Sequence, residues 1–376
     1  VPSEGYGGLE LQTFARAKDA LYLGHNSLMF ISPNTILATE VINSGMKYNF
    51  LKINFDYVDI FSALRLSKLI NKHNLDVLIV SQSKLLSFAI ISRYITQKRY
   101  KKDFAIIFYQ HMQSKIVKKD FFHNWVYRQI DGAITFTKGM KTDLLETTII
   151  EENKIDIIPA GLKLDQFRPL LNSDEKLEIL KKFNLPTDKF IVGYIARIER
   201  HKDQTTAIQS FYEANLPNSI LVICGILADE NYKYELEQLI IKLENQRKGF
   251  AENIIFLDFT SLANELMRTF DIFMMCSRSE TFGLVNIESL ASGVPLIATN
   301  SGGIPEFIKD GFNGILFTRE DTNEGSRKLK LLYKDKLLRD KIIKNGIEFV
   351  HQNYEYTKQR NLFFDFCNNI YENKFK

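Results

Sequence analysis

Short apolar, β-branched runs alternate along the chain with longer stretches whose apolar positions recur every three to four residues. In the first part the runs fall at residues 28–31, 77–80, 105–109, 132–136 and 155–158. In the second they fall at 190–195, 220–224, 254–257, 272–275 and 296–298. Helical patterns over 10–23, 61–73, 84–95, 205–214, 234–245 and 261–269 fill the intervals. Strands that are apolar on both faces and separated by amphipathic helices predict a parallel sheet covered on both sides. Five such strands, a turn-rich break near 159–184 and five more predict an α/β chain of two doubly wound domains. The divisions expected are 1–165, 166–350 and a C-terminal helix over 351–376. That last segment is aromatic (Tyr354, Tyr356, Phe363, Phe364, Phe366, Tyr371), so it must cover apolar surface, expected on the first domain.

Composition narrows the class. A chain of 376 residues exceeds the size at which one core keeps growing, and 45% hydrophobic content is ample for two. No apolar run approaches the roughly 20 residues of a spanning helix. Cys224, Cys276 and Cys367 lack metal-ligand spacing and fit buried thiols in a reducing compartment, so a cytoplasmic location is expected. Residues 1–8 (VPSEGYGG) are loop-like where an α/β domain would open with a buried strand. That strand is expected to precede residue 1.

Charge is uneven. Residues 1–170 hold 22 Lys and Arg against 16 Asp and Glu, and the remainder holds 27 against 29. Much of the excess lies in 93–119 (Arg93, Lys98, Arg99, Lys101, Lys102, Lys115, Lys118, Lys119), opposed by Asp103. This window reads either as a patch for an anionic membrane or acceptor, or as an ordinary solvated face. The overall balance argues against nucleic acid as a partner.

The chemistry concentrates at 276–314, CSRSETFGLVNIESLASGVPLIATNSGGIPEFIKDGFNG. A strand ends in a polar loop, and Phe282-Gly283 opens a helix that Gly293 and Pro295 end. Gly302-Gly303 and Pro305 open another. Two helix N-termini thus emerge at the carboxyl edge of a sheet, where free amides and helix dipoles favour an anion. Glu280 precedes the first helix. Glu288 lies inside it among small and apolar residues, where an unpaired charge is costly and a hydroxyl-bearing ligand would satisfy it. In the run GYIARIERHK, Arg197, Arg200, His201 and Lys202 follow a strand, and Asp203 reads as a helix cap. Cations there suit a diphosphate.

With these pieces together, the chain resembles the family 4 (group 1) retaining glycosyltransferases of the GT-B architecture over nearly its whole length. The spacing Glu280-x7-Glu288 around Phe282-Gly283-Leu284, then Gly293-Val294-Pro295 and Gly302-Gly303-x-Pro305-Glu306, is similar to that family's donor-site signature. Arg197 with Lys202 is similar to its phosphate-binding pair, and Gly7-Gly8-x-Glu10 to its first glycine-rich loop. The resemblance implies two Rossmann-like domains facing across a cleft, the first on the acceptor side and the second binding the nucleotide sugar. It implies that Glu288 bonds the ribose hydroxyls, and that Glu280 with the backbone of Phe282, Gly283 and Leu284 holds the donor sugar. Arg197 and Lys202 would neutralise the diphosphate without a metal or other cofactor. Gly7 and Gly8 would admit donor phosphates or acceptor, and His111, after the strand at 105–109, would face the reacting sugar. The partners implied are a nucleotide-sugar donor and a glycan or lipid-linked acceptor of surface polysaccharide synthesis; the basic window 93–119 adds the expectation of peripheral contact with an anionic membrane at its inner face.

Three departures stand out: Ala160-Gly161-Leu162-Lys163 where Asn-Gly-Val-Asp is common, a lone Gly225 with Leu227 beyond it, and Asp258 in a glycine's place. Other readings are a two-glutamate hydrolase, an epimerase or phosphorylase of the same architecture, and a non-catalytic scaffold. The hydrolase leaves the basic loop unexplained, and the scaffold leaves the intact Arg197, Lys202, Glu280 and Glu288 unexplained. No G-x-G-x-x-G follows a strand, which argues against a dinucleotide.

Overall fold

The computed structural model describes residues 2, 7–51 and 59–376. Two compact units divide it, one of residues 1–160 with 357–376 and one of 161–356.

The first unit runs α1 (Gly8–Tyr22), β1 (Met29–Ile31), α2 (Ile36–Asn43), β2 (Tyr48–Phe50), α3 (Ile60–Lys72), β3 (Val77–Val80), α4 (Leu86–Tyr100), β4 (Ala105–Tyr109), α5 (Phe121–Arg128), β5 (Gly132–Thr135), α6 (Lys138–Thr147) and β6 (Ile155–Ile157). Strands β3, β4, β5 and β6 pair in that order and all in parallel, while β1 and β2 form a parallel pair of their own. All five residues of β4 are buried, as a central strand covered on both faces requires. The second unit runs α7 (Ser173–Lys182), β7 (Phe190–Ile195), α8 (Gln204–Ala214), β8 (Ser219–Cys224), α9 (Glu230–Gln246), β9 (Ile254–Leu257), α10 (Ala263–Met267), β10 (Ile272–Met275), α11 (Leu284–Ala291), β11 (Leu296–Thr299), α12 (Ile304–Phe307), β12 (Ile315–Phe317), α13 (Thr322–Lys334) and α14 (Lys336–Asn353). Its six strands are parallel in the order β12-β11-β10-β7-β8-β9. Strand order reverses between β7 and β10, and that reversal decides where a ligand can sit.

The final helix, α15 (Tyr356–Phe375), belongs from Thr357 onward to the first unit. Phe363 meets the Tyr109 ring edge-on at 5.2 Å, and Lys374 pairs with Asp131 at 2.6 Å. A Cβ on Gly132 would stand 2.9 Å from both Ile370 and Phe366, so the absent side chain on β5 is what lets the aromatic helix seat. The three cysteines are free and buried. Among the described residues no helix is long and apolar enough to cross a membrane.

Candidate active site

Open parallel sheets bind ligands outside the carboxyl ends of the two strands that flank a reversal of order. Here those strands are β7 and β10. The loop after β7 carries Arg197 and Lys202, and the loop after β10 carries Ser277 and Glu280, so the reversal itself brings both predicted clusters together.

The approach is built by specific bonds. Beyond β7 the amide of Ile198 donates to the Ile226 carbonyl at 2.8 Å, and that of Ala228 to the Ile198 carbonyl at 3.1 Å. This extended pairing passes over Gly225, whose Cβ would lie 1.9 Å from the Ala196 carbonyl oxygen; the lone glycine at this turn is a steric requirement. The Tyr194 hydroxyl donates to the Lys202 carbonyl and accepts from the Cys276 amide, pinning one loop to the other from below. Above it, the Arg278 amide donates to the His201 carbonyl at 3.0 Å, and His201 Nε2 bonds the Ser279 carbonyl at 2.6 Å. Between these pins Lys202 Nζ reaches Glu280 Oε1 at 2.5 Å, and the same oxygen accepts from the Ser277 hydroxyl at 2.7 Å. Both ends of the ion pair are largely shielded, at 18% and 12% side-chain exposure, so its field is stronger than that of a surface pair. Arg197 is 60% exposed and pairs with Glu199 at 2.9 Å; its guanidinium can swing to an anion without uncovering a buried charge.

Glu280 is also held through its backbone. Its carbonyl accepts from the Gly303 amide at 2.7 Å, and a Cβ on Gly302 (φ +59°) would lie 2.2 Å from that carbonyl oxygen. Gly302 therefore takes a left-handed turn against the Glu280 backbone that a side chain would block. Gly283 caps α11 in the left-handed region, at φ +68°. The amides of the first helical turn have no intrahelical acceptor, and the Phe282 ring is buried against Phe307 and Tyr354, which leaves the backbone at 282–284 as the anion-facing part. One turn beyond Leu284, on the same face, stands Glu288. Among the described residues nothing hydrogen-bonds its carboxylate, and burial pushes its pKa from 4.5 up to about 7. Asn286 was not anticipated: it is fully buried, and neither its Nδ2 nor its Oδ1 has a partner. The two project from different faces of α11: the Asn286 amide is enclosed, while the Glu288 carboxylate, partly exposed and without a protein partner, is the group open to hydroxyls brought by a ligand.

In the first unit, His111 follows β4 and is buried against the rings of Tyr109 (4.3 Å) and Phe136 (5.0 Å). Its Nε2 has no partner, and burial pulls its pKa from 6.5 down to about 3, so the imidazole is neutral throughout the working range. Gly7 caps α1, its amide donating to Glu10 Oε2 at 3.0 Å, and a Cβ at Gly8 would meet nothing within 4 Å. The glycine-rich loop is thus self-capped, and nothing within the unit demands a glycine at position 8. Among the described residues no group of three His, Cys, Asp or Glu is arranged to hold a metal ion.

Residues 175–349 match the family model described as glycosyl transferases group 1. This segment is a group 1 glycosyltransferase domain. It contains Arg197, Lys202, Glu280, Phe282, Gly283, Leu284 and Glu288; His111, Gly7 and Gly8 lie outside it. The chain is 27% identical over 224 residues to the capsular polysaccharide biosynthesis glycosyltransferase CapM of Staphylococcus aureus, covering 59% of this chain and 57% of CapM. It is 27% identical over 230 residues to alpha-monoglucosyldiacylglycerol synthase of Acholeplasma laidlawii, covering 57% and 55%. The chain spans about half the length of the curated relatives it matches.

In fold, the chain is similar to Anabaena HepE solved in complex with UDP and glucose, with a TM-score of 0.82, 17% identity and 98% of each chain covered. It is also similar to a Rickettsia africae glycosyltransferase, with a TM-score of 0.85, 21% identity and 98% and 97% covered. The group 1 domain thus sits in an α/β chain of two Rossmann-like domains whose structural neighbours are GT-B glycosyltransferases.

Proposed function

We propose that the chain is a retaining, metal-independent glycosyltransferase that moves a hexose-type sugar from a nucleotide-diphosphate donor to a glycan or glycolipid acceptor, in the synthesis of surface polysaccharide. The observation that carries this reading is the shielded Lys202–Glu280 pair at the strand reversal, together with the unpartnered Glu288 on the helix that follows. As the sugar–phosphate bond breaks, negative charge grows on the leaving diphosphate. Lys202 and the amides opening α11 are held in place to meet that charge and the exposed Arg197 swings to it, so they stabilise the transition state more than the ground state. Glu280, its Oε1 already fixed by Lys202 and Ser277, accepts from sugar hydroxyls, and Glu288 accepts from the ribose. Attack by the acceptor hydroxyl on the face the diphosphate leaves retains configuration, with the leaving phosphate taking the proton. The names of CapM and the diacylglycerol glucosyl transferase relative support a glycan or glycolipid acceptor.

The test is a binding and hydrolysis screen of UDP-, GDP- and ADP-sugars with EDTA present. Saturable binding of one donor and slow release of its nucleotide are expected. A requirement for added metal would remove the cationic mechanism, and no binding to any donor would favour a non-catalytic scaffold.

His111 supplies a neutral hydrogen-bonding group to the reacting sugar through its unpartnered Nε2. His111→Ala is expected to lower transfer about 100-fold, the loss typical of one positioned polar group, with nucleotide affinity unchanged. Because the imidazole is neutral above about pH 3, the wild-type pH profile between 5 and 9 should carry no inflection that this substitution removes. Unaltered transfer would reduce His111 to a packing role.

A further inference from the structure

The basic stretch from Arg93 to Lys119 is not one surface. Arg93 is buried, with its guanidinium on Asp131 and the Gln129 carbonyl, both at 2.6 Å. Lys98, Arg99, Lys101 and Lys102 close α4 and precede β4, and Lys102 is spent on Asp76 at 2.9 Å and Asn74 at 2.6 Å. Lys115, Lys118 and Lys119 follow β4. Five residues of strand separate the two groups by roughly 17 Å, at opposite edges of the sheet. The group that shares an edge with His111 is the one after β4.

There the loop between β4 and α5 forms a fixed knuckle. Gln110 Nε2 donates to the Met112 carbonyl at 3.0 Å, and the amides of Ser114 and Lys115 donate to the Asp143 carboxylate at 3.1 Å each. The Lys118 amide donates to the Thr147 carbonyl at 2.7 Å, and Asp120 caps α5. Held at these points, the knuckle turns apolar side chains outward: Met112 is 69% exposed, Ile116 66%, Val117 68% and Phe121 91%. Lys115 and Lys119 are exposed between them. Lys118 lies deeper, donating to the Ser83 hydroxyl at 3.1 Å in a shallow hollow, partly open to solvent, that Ser87 and His123 also line. Of the two nearby carboxylates, Asp143 accepts from the backbone amides of Ser114 and Lys115, and Asp120, itself exposed, accepts from the amides of Phe122 and His123 and pairs with the His123 ring at 2.5 Å.

We propose that this knuckle docks on the surface of an anionic lipid bilayer, Ile116, Val117 and Phe121 entering the acyl boundary while Lys115 and Lys119 lie at the level of the phosphates. An apolar cluster alone would suit any apolar partner. Lysines interleaved with apolar tips within ten residues need a partner that offers hydrocarbon and negative charge a few ångströms apart, which is the structure of the headgroup boundary. Lys118 and the hydroxyls beside it then face a headgroup phosphate. Docking itself does not depend on sugar transfer; only its consequence, a lipid-borne acceptor delivered to the sheet edge of His111, rests on the function proposed above.

The test is co-sedimentation of the full chain, without nucleotide sugar, with vesicles of phosphatidylcholine alone and of phosphatidylcholine mixed with phosphatidylglycerol. Binding is expected on the anionic vesicles only, falling as salt rises. A lysine near such a surface is worth about fivefold in binding, so Lys115→Glu with Lys119→Glu should lower partitioning by at least about 25-fold. Ile116→Ser with Phe121→Ser should lower it as well, and these exposed positions can be changed with the thermal midpoint as a check that the fold is intact. Lys98→Glu with Lys101→Glu, at the opposite edge, should leave it unchanged. Absent or charge-independent binding, or an equal loss in the opposite-edge variant, would overturn the proposal. So would self-association of the chain that Ile116→Ser abolishes, which would assign the knuckle to a second copy. A failed donor screen leaves these outcomes as they are, so the two proposals fail separately.

Discussion

Lys202→Ala is expected to lower donor turnover by about 10²–10³-fold, the loss that follows removal of one fixed group from a developing anion, while nucleotide affinity changes far less. The backbone at Lys202 is fixed independently of its side chain. Its carbonyl takes the Tyr194 hydroxyl, its amide donates to the Glu199 carbonyl at 2.9 Å, and Asp203 follows in the left-handed region as the cap of α8. Truncation therefore removes the ammonium and leaves the loop in place. It also leaves the Glu280 carboxylate, only 12% exposed, with Ser277 as its remaining neighbour, and stranding one charge of a shielded pair costs up to about 3–5 kcal/mol. Loss of stability could by itself masquerade as loss of function, and a second variant separates them. Lys202→Ala combined with Glu280→Gln should recover much of the thermal stability, because the stranded charge is gone, and none of the turnover. Recovery of turnover along with stability would make the pair a structural brace with no part in leaving-group chemistry. Initial rates with the donor found in the screen, measured beside melting temperatures, decide between the two.

The site was legible in sequence to the extent that glycine and proline write it. Gly283, Gly293, Gly302 and Pro305 occupy turns and helix ends that restrict residue choice, so their spacing carries the geometry of two helix starts at one sheet edge. Three contributors left no such trace. Tyr194 reads as one more apolar strand residue, Ser277 as one more loop hydroxyl, and Asn286 as a polar interruption of a helix; burial sets all three apart, and hydrogen-bond partners the first two. Charge misled for a related reason. The window 93–119 is continuous in sequence, but a parallel strand runs through its middle and sends its halves to opposite sheet edges, and Arg93 turns inward to Asp131. Helices α2, α5, α6, α13 and α14 and strands β2 and β12 went unpredicted. For the first three helices and the two strands, eight to ten residues of helix, or three of strand, give too few turns for a period to emerge, whereas α13 and α14 are long enough and were missed. The loop reading of residues 1–8 lies partly outside the described residues. The ten predicted strands all appear because each is a short, largely apolar and β-branched run between clear punctuation.

Glu288→Gln should move stability and donor affinity in opposite directions. Burial raises this carboxyl from its ordinary 4.5 to about 7 and no protein group repays it. At pH 5 the side chain is protonated in the folded chain and burial costs little. As the pH rises through 7 the folded chain must hold a poorly solvated carboxylate that the unfolded chain holds in water, so stability falls. The displacement corresponds to about 3 kcal/mol at most, present above pH 7 and absent below the unfolded value. Glutamine has the same shape and no charge, so Glu288→Gln should raise the melting temperature of the ligand-free chain at pH 8 and leave it nearly unaltered at pH 5. Donor binding should respond in the reverse sense. Ribose hydroxyls donate better to a carboxylate than to an amide or a carboxylic acid, so wild-type affinity should climb between pH 6 and 8, and the variant's should stay flat. At pH 8 a hydrogen bond to a charged group is worth about 1.5–3 kcal/mol, which makes the variant about 10- to 100-fold weaker there. A residue kept for packing would lower stability when replaced and leave the pH profile of binding alone. Thermal melts and donor titrations at pH 5, 6, 7 and 8 therefore read the carboxylate as a ligand-binding group only if the two curves diverge, and a variant less stable at pH 8 with unaltered affinity would remove Glu288 from the ribose.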